Sequence, residues 1–216
     1  MRQPIKILLT FFILGTLGQP TPAALKGGLE YSIPINYAPL SQEELETKAG
    51  FFYNLALKTN SLNEETTEAL NLYTILNNKC PTSIIYPIRL GILYDNIGKD
   101  RQAKGCFFKA IGINKVNPEA YFYLGEFYYK RNLYRRALNY YREAYKNGYT
   151  KHYETAYKIG DIYEKLGDTE AALKYLQLAS ELSPNSRLDN KITRLKNAND
   201  LNREYYSNTR IRLIER

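Results

Sequence analysis

The stretch that decides the fold reads YFYLGEFYYKRNLYRRALNYYREA and occupies residues 121–144. Its apolar residues recur at intervals of three and four, the spacing of one helix face, on both sides of Asn132. Gly125 lies in the first half, and Ala137 and Ala144 lie in the second. The pattern predicts two short helices joined at Asn132, because asparagine tolerates a left-handed backbone.

The same pattern recurs upstream and downstream with a period of 34 to 35 residues, set by Gly91, Gly125 and Gly160. One position before each glycine is Leu or Ile, three after it is Tyr, and twelve and nineteen after it are Ala. Sixteen positions after the glycines are Phe107, Tyr141 and Leu176. A repeat of this length predicts stacked helix pairs, in which each unit buries its apolar face against its neighbours.

These columns resemble the tetratricopeptide repeat (TPR) family, whose signature runs aromatic-x2-Leu-Gly-x2-Tyr, then Ala-x3-Phe-x2-Ala, then Pro. Tyr121 fills the leading aromatic column, and Pro184 fills the closing proline column. Pro87 and Ala156 depart from the aromatic residue expected in the leading column. The resemblance implies an all-α fold, a TPR α-solenoid of antiparallel helix pairs with a C-terminal capping helix. The three full units are predicted at residues 84–117, 118–152 and 153–186.

A degenerate first TPR-like helix pair is predicted over residues 41–83, where the glycine column holds Leu57. Terminal repeats are expected to be atypical, since one of their faces meets solvent. The pairs Ser41/Glu44 and Ser61/Glu64 are spaced as capping boxes that would open its two helices.

After the last full unit, Leu188, Ile192 and Leu195 recur at helical spacing. They predict a solvent-facing capping helix over residues 187–208. Residues 209–216 are expected to form a basic, frayed tail.

Residues 1–24 have the three parts of a secretory signal peptide: a basic start, an uncharged apolar run at 7–18, and small residues at Thr21 and Ala23. The pattern predicts an exported protein, most simply in a bacterial periplasm, with an irregular leader at 25–40. The alternative is a protein whose residues 7–18 are retained as a membrane anchor. In a helix that run would span about 18 Å, short of a bilayer core of about 30 Å.

In the family that the repeats resemble, the first helix of each unit lines a concave groove with its second, fifth, ninth and twelfth residues. Carried over to this sequence, those positions hold Ile85, Ile88, Ile92, Asp95, Glu119, Phe122, Glu126, Tyr129, Glu154, Tyr157, Asp161 and Glu164. The implied groove changes from aliphatic to aromatic to acidic. Such a groove would suit a protein or peptide segment with apolar residues and Lys or Arg.

The resemblance and the export signal together predict a non-enzymatic adaptor or scaffold for protein–protein interaction, acting in envelope assembly or secretion. One alternative is a membrane-anchored TPR assembly factor for a membrane complex. Another is an enzyme that uses groove carboxylates such as Glu126 and Asp161 as its acid and base. The sequence does not determine an oligomeric state.

The chain carries a net charge of +8, one histidine and two cysteines. No cofactor or metal site is expected, since His152 has no second His or Cys close by in the sequence. Nucleic acid is not expected as a partner, because the basic residues gather in an inter-helix turn and on an edge, which allows at most peripheral contact with a membrane. Cys80 and Cys106 could form a disulfide in an oxidising compartment or remain two buried thiols.

Overall fold

The structure, a computed structural model, describes residues 40–59 and 61–214, with the side chains of residues 202, 203 and 206–214 left aside. The predicted signal peptide and nearly all of the predicted leader lie outside the described residues. Within the described ranges the chain forms helices and no strand. The helices are α1 (Gln42–Ala56), α2 (Glu64–Lys79), α3 (Ile85–Asn96), α4 (Asp100–Ile113), α5 (Pro118–Lys130), α6 (Tyr134–Lys146), α7 (Tyr153–Lys165), α8 (Thr169–Leu182) and α9 (Ser186–Ile214), with a 3-10 turn at Tyr149–Lys151.

The helices pack as successive pairs, α1 with α2, α3 with α4, α5 with α6, and α7 with α8. Each second helix of a pair also packs against the first helix of the next pair, and α9 packs against α8. The predicted all-α architecture of stacked antiparallel helix pairs is confirmed. We call α1, α3, α5 and α7 the first helices and α2, α4, α6 and α8 the second helices.

The column glycines allow the two helices of a pair to approach closely. A Cβ atom added at Gly91 would lie 2.6 Å from the Phe107 ring, and one at Gly125 would lie 2.9 Å from the Tyr141 ring. At Gly160 the added Cβ would meet Leu176 at 2.8 Å. The glycine column therefore leaves room for the large side chain sixteen residues later, which is almost completely buried in each unit.

The turns inside the three full units use a left-handed residue, as the sequence predicts. Gly98 has φ 71°, Asn132 has φ 57° and Gly167 has φ 82°. Each ends a first helix and leads directly into the second. This conformation favours glycine and asparagine and allows a turn of only three residues in each unit.

The start of α1 follows its predicted signal, and the start of α5 is also capped by a side chain. Ser41 and Glu44 form a complete capping box at α1. Asn117 caps α5 with its side-chain oxygen, which accepts a hydrogen bond from the Ala120 N–H at 2.9 Å.

The capping box predicted at Ser61/Glu64 is wrong. The N-cap of α2 is Asn63, whose Oδ1 accepts from the Thr66 N–H at 2.9 Å. The backbone carbonyl of Ser61 instead accepts a hydrogen bond from the Thr66 hydroxyl. Asparagine is as strong an N-cap as serine, and with Asn63 as the cap α2 begins at Glu64, two residues later than a cap at Ser61 would place it.

The last helix is longer than the sequence analysis predicts. Leu188 and Ile192 are buried against α8, as expected of a capping helix. However, α9 continues to Ile214, into the segment expected to be a frayed tail. No glycine or proline interrupts residues 186–214, so no residue there breaks the helix. Although α9 is long, it is polar, and none of the described helices has the length and apolarity needed to cross a membrane.

We expect Gly125→Ala to destabilise the chain by about 1–3 kcal/mol, because the new methyl group would overlap the buried Tyr141 ring. Gly105→Ala is the matched control, since Gly105 lies inside α4 with no neighbouring atom within 4 Å of the added Cβ. That change should leave stability equal or raise it by about 0.5–1 kcal/mol. Urea unfolding followed by circular dichroism measures both. Equal effects of the two substitutions would contradict the packing role of Gly125.

Candidate functional site: the groove of the first helices

Polar contacts between successive first helices line one face of the stack. At the N-terminal end, the Tyr86 hydroxyl on α3 donates a hydrogen bond to Glu46 on α1. The Gln42 side chain also contacts that hydroxyl, with its Nε2 3.3 Å from the phenol oxygen. Burial, with the hydrogen bond to Glu46 and its negative charge, raises the pKa of Tyr86 to about 12. The phenol therefore remains a neutral donor across the physiological range.

The contact between α3 and α5 is ionic. Asp95, near the end of α3, accepts from Lys130 Nζ and from Arg131 Nη1, both at 2.7 Å. Arg131 also pairs with Asp100 at the start of α4, and its guanidinium lies 3.6 Å from the centroid of the Phe127 ring. One arginine therefore connects two helix pairs, held by charge and by stacking.

Two contacts connect α5 to α7. Lys158 Nζ on α7 lies 2.8 Å from Glu126 Oε1, and Glu126 also accepts a hydrogen bond from the Tyr141 hydroxyl. The Tyr129 hydroxyl donates to Asp161 Oδ2 at 2.5 Å. Burial, the hydrogen bond and the negative charge of Asp161 raise the pKa of Tyr129 above its usual range.

The last contact connects α7 to α9 through Lys191. Its ammonium group lies 2.8 Å from Asp161 Oδ1 and 2.6 Å from Glu164 Oε2. It also lies 5.4 Å from the centroid of the Tyr157 ring. We use the name inter-unit ladder for these contacts, which centre on the carboxylates of Glu46, Asp95, Glu126, Asp161 and Glu164.

The ladder determines the protonation of Asp161. Burial raises the pKa of this carboxyl group, but hydrogen bonds from Lys191 and Tyr129 and the charges of Lys191 and Lys165 outweigh that effect. The net pKa lies below its ordinary value. A general acid at neutral pH needs the opposite shift, so Asp161 is not suited to that role.

The predicted groove residues fall into three groups by burial. Ile88 is 1% exposed and packs against Ala110 and Ala120, and Phe122 is 7% exposed and packs against Tyr141. These two are core residues, because the fifth position turns toward the neighbouring helices in the first two full units, whereas Tyr157 at the same position of the third unit is only half-buried. Asp161 is also buried, and Ile92, Asp95, Glu119, Glu126, Tyr129, Tyr157 and Glu164 are half-buried. Only Ile85, at 53%, and Glu154 are exposed.

The groove is less acidic than its sequence suggests. Asp95, Glu126, Asp161 and Glu164 all have a lysine or arginine within 4.0 Å, as the inter-unit ladder shows. Among the described side chains, neither Glu119 nor Glu154 forms an ion pair. Both lie in the first turn of their helices, where the helix dipole favours an acidic side chain.

Tyrosines surround the two unpaired carboxylates. Burial raises the pKa of the Tyr149 phenol, and the charges of Glu119 and Glu154 raise it further. Tyr123 lies near Tyr149, Glu119 and Tyr53, and its pKa is raised mainly by burial. The end of the groove where α5 and α7 begin therefore combines aromatic rings with two carboxylates that form no ion pair among the described side chains. Arg89 adds one positive charge near Tyr53 and Tyr123.

The other end of the groove opens into a cleft between α7 and α9, with a volume of about 990 Å³. Tyr153 and Tyr157 line it with their rings stacked 6.0 Å apart. Lys165, Arg187, Lys191 and Arg194 contribute positive charge beside Asp161 and Glu164. The cleft is therefore mixed in charge, which differs from the acidic end that the sequence predicts.

Sequence reasoning missed the cations of the inter-unit ladder. Lys158 follows Glu126 by 32 residues, Lys191 follows Asp161 by 30, and Lys130 follows Asp95 by 35. Each separation is close to one repeat length. A search for opposite charges one period apart could therefore have found these pairs before the structure was known.

The single histidine caps a helix, and the two cysteines are free thiols. His152 is the N-cap of α7, where its Nδ1 accepts from the Thr155 N–H, and its ring stacks 4.4 Å from that of Tyr149. Cys80 and Cys106 are free, half-buried thiols, so the structure does not contain the disulfide considered from the sequence. Burial raises the pKa of the Cys106 thiol, which makes it a weak nucleophile.

Comparison with known proteins identifies the repeat. A tetratricopeptide repeat family model matches residues 153–186, the third predicted unit. A search of the curated proteins finds no match.

Solved structures share the architecture at low sequence identity. PilF of Pseudomonas aeruginosa is 16% identical with a TM-score of 0.60, over 76% of each chain. TTC0263, a TPR protein of Thermus thermophilus, is 18% identical with a TM-score of 0.57, over 73% of this chain and 82% of its own. MamA from Desulfovibrio magneticus RS-1 is 18% identical with a TM-score of 0.56, over 71% of this chain and 86% of its own. At such identities the likeness establishes the fold alone.

We expect Lys191→Gln to destabilise the chain at pH 7 by about 2 kcal/mol, because Asp161 and Glu164 lose their shared cation. Since the folded-state pKa of Asp161 is depressed, its ion-pair stabilisation is fully present above the unfolded-state pKa of about 3.9 and is lost as the pH falls through the folded-state value. The difference from wild type should therefore shrink below pH 4. Urea unfolding from pH 7 to pH 3 measures it, with Lys196→Gln on the exposed face of α9 as control. A difference independent of pH would contradict the ionic role of Lys191.

Proposed function

This chain is a tetratricopeptide repeat protein, and from that premise we propose that it is a non-enzymatic adaptor holding a segment of another protein in its first-helix groove. The fold is typical of scaffolds for protein–protein interaction, and TPR domains bind peptides or proteins. The observation that carries the proposal is that some carboxylates of the groove form ion pairs within the protein and others do not. Most groove carboxylates form ion pairs within the inter-unit ladder, whereas Glu119 and Glu154 form none with the side chains that the structure describes and lie beside partly exposed tyrosines.

The end of the groove where α3, α5 and α7 begin indicates which kind of partner would fit. Ile85 is 53% exposed at the start of α3, and Tyr123 and Tyr149 are half-buried. A segment with an apolar side chain could cover these surfaces while its Lys or Arg pairs with Glu119 or Glu154. The proposed partner is therefore an apolar and basic segment, bound where α3, α5 and α7 begin.

We place this adaptor in the cell envelope, in assembly or secretion, because residues 1–24 carry the three-part pattern of a signal peptide. The leader at 25–40 would then connect the cleavage site to the first helix pair. The competing proposal keeps residues 7–18 as an anchor, so that the same groove would serve a membrane complex.

Photo-crosslinking tests the groove. A benzophenone amino acid in place of Ile85 or Glu154 should give adducts with a partner protein in intact cells. The same group in place of Lys104, exposed on the second helix α4, should give none. Because the partner is proposed to be basic, the double change Glu119→Lys and Glu154→Lys should abolish the Ile85 adduct. Circular dichroism of the double variant controls for folding. Equal adducts from Ile85 and Lys104, or an Ile85 adduct unaffected by charge reversal, would exclude the proposed binding site.

N-terminal sequencing of the mature protein tests the location. Cleavage of the signal peptide predicts a start near Ala24 and recovery in the soluble periplasmic fraction. A chain that starts at Met1 and sediments with membranes would favour the anchored alternative instead.

A further inference from the structure

A second cleft lies on the opposite side of the repeats, against the second helices α6 and α8, with a volume of about 870 Å³. No part of it belongs to the first-helix groove. It is lined by Tyr128, Arg136, Asn139, Tyr140, Arg142, Glu143, Tyr145, Lys146 and Tyr175. Its volume lies within the range of pockets that hold a small molecule or a few residues of a peptide.

Stacked tyrosines form the walls of this cleft. Tyr128 and Tyr140 lie with their rings nearly parallel, 7° apart in orientation and 5.3 Å between centroids. Tyr145 and Tyr175 meet edge to face at 6.0 Å. Such rings are rigid and lose little conformational entropy when they contact a ligand, and their hydroxyl groups can donate hydrogen bonds.

The positive charge of the cleft is not compensated. Among the described side chains, Arg136, Arg142 and Lys146 have no carboxylate within 4.0 Å, and Glu143 is the one acidic residue of the lining. Arg136 lies 5.9 Å from the centroid of the Tyr128 ring. Burial raises the pKa of Tyr175 and the charge of Arg142 opposes that rise, which places Arg142 near this phenol.

The cations of the cleft differ from those of the first-helix groove in lacking an ion-pair partner. In the groove, Lys158 and Lys191 are each held by a carboxylate of the inter-unit ladder. In the cleft, Arg136, Arg142 and Lys146 are exposed, and none of them forms an ion pair with a described side chain. An acidic ligand could therefore reach these three charges without displacing an internal partner.

We propose that this cleft binds a short acidic segment of a partner protein, with Asp or Glu side chains on Arg136, Arg142 and Lys146 and an apolar or aromatic side chain against the tyrosines. The site does not depend on the groove, so one chain could hold two protein segments on opposite faces.

The observations favour a peptide over other anions. Nucleic-acid sites usually neutralise a run of phosphates with more cations than the three found here, and Glu143 would repel a continuous phosphate backbone. A flat membrane surface would reach the exposed cations but not the half-buried rings of Tyr140, Tyr145 and Tyr175. Separate carboxylates along a peptide can meet the three cations individually and avoid Glu143.

The test uses the absence of tryptophan from the chain. A short peptide rich in Asp and Glu with one tryptophan is titrated with the full chain, and tryptophan fluorescence anisotropy reports binding. The combined change Arg142→Gln and Lys146→Gln should weaken binding about tenfold, through loss of charge–charge attraction. Added salt should weaken wild-type binding.

The control is Arg135→Gln, which removes one positive charge next to Arg136 on α6. Arg135 is exposed and does not line the cleft, so binding should be unchanged. Circular dichroism confirms that all variants fold. Four results would overturn the proposal: no binding of the acidic peptide, equal binding of its Asn/Gln version, an Arg135→Gln effect as large as that of the double variant, or tighter binding of single-stranded DNA or anionic vesicles that the same double variant abolishes.

Discussion

The close approach of two helices across a glycine is the contact on which the rest of this structure depends. Gly91, Gly125 and Gly160 leave the space that Phe107, Tyr141 and Leu176 fill, and a single added methyl group would lie within about 3 Å of those side chains. Helix pairs that pack closely across a glycine have similar shapes, so that successive pairs can stack on one another. The stack then brings the first helices together along one side and the second helices along the other.

That arrangement gives the two sides different electrostatics. On the first-helix side, carboxylates of one unit meet cations about one repeat later, as Glu126 does with Lys158 and Asp161 with Lys191. These pairs are partly buried and are connected by tyrosine hydroxyls, so they act as structural contacts rather than free charges. Negative charge available to a partner is left at Glu119 and Glu154. On the second-helix side, Arg136, Arg142 and Lys146 have no carboxylate partner among the described side chains and lie beside stacked tyrosines.

The sequence predicts the fold well because the signals that determine it are local and periodic. A glycine, an alanine or a left-handed turn residue at the same column in three units imposes the same geometry three times. The groove was predicted less completely. Ile88 and Phe122 were assigned to it from the family pattern, yet both are buried against neighbouring helices. The N-cap of α2 was placed at Ser61 rather than Asn63, since serine and asparagine compete as caps within two residues.

By itself, the sequence determined the helix pairs, their turns and the close packing of each glycine with its large partner, since each depends on residues within one repeat. Tertiary structure alone decided which charges are available to a partner. Whether Glu126 is a free carboxylate or one side of an ion pair depends on where Lys158, about one repeat later, comes to lie. The same holds for the cleft against α6 and α8, whose lining comes from three helices. Electrostatic interactions act through space, so their outcome depends on distances that no run of neighbouring residues specifies.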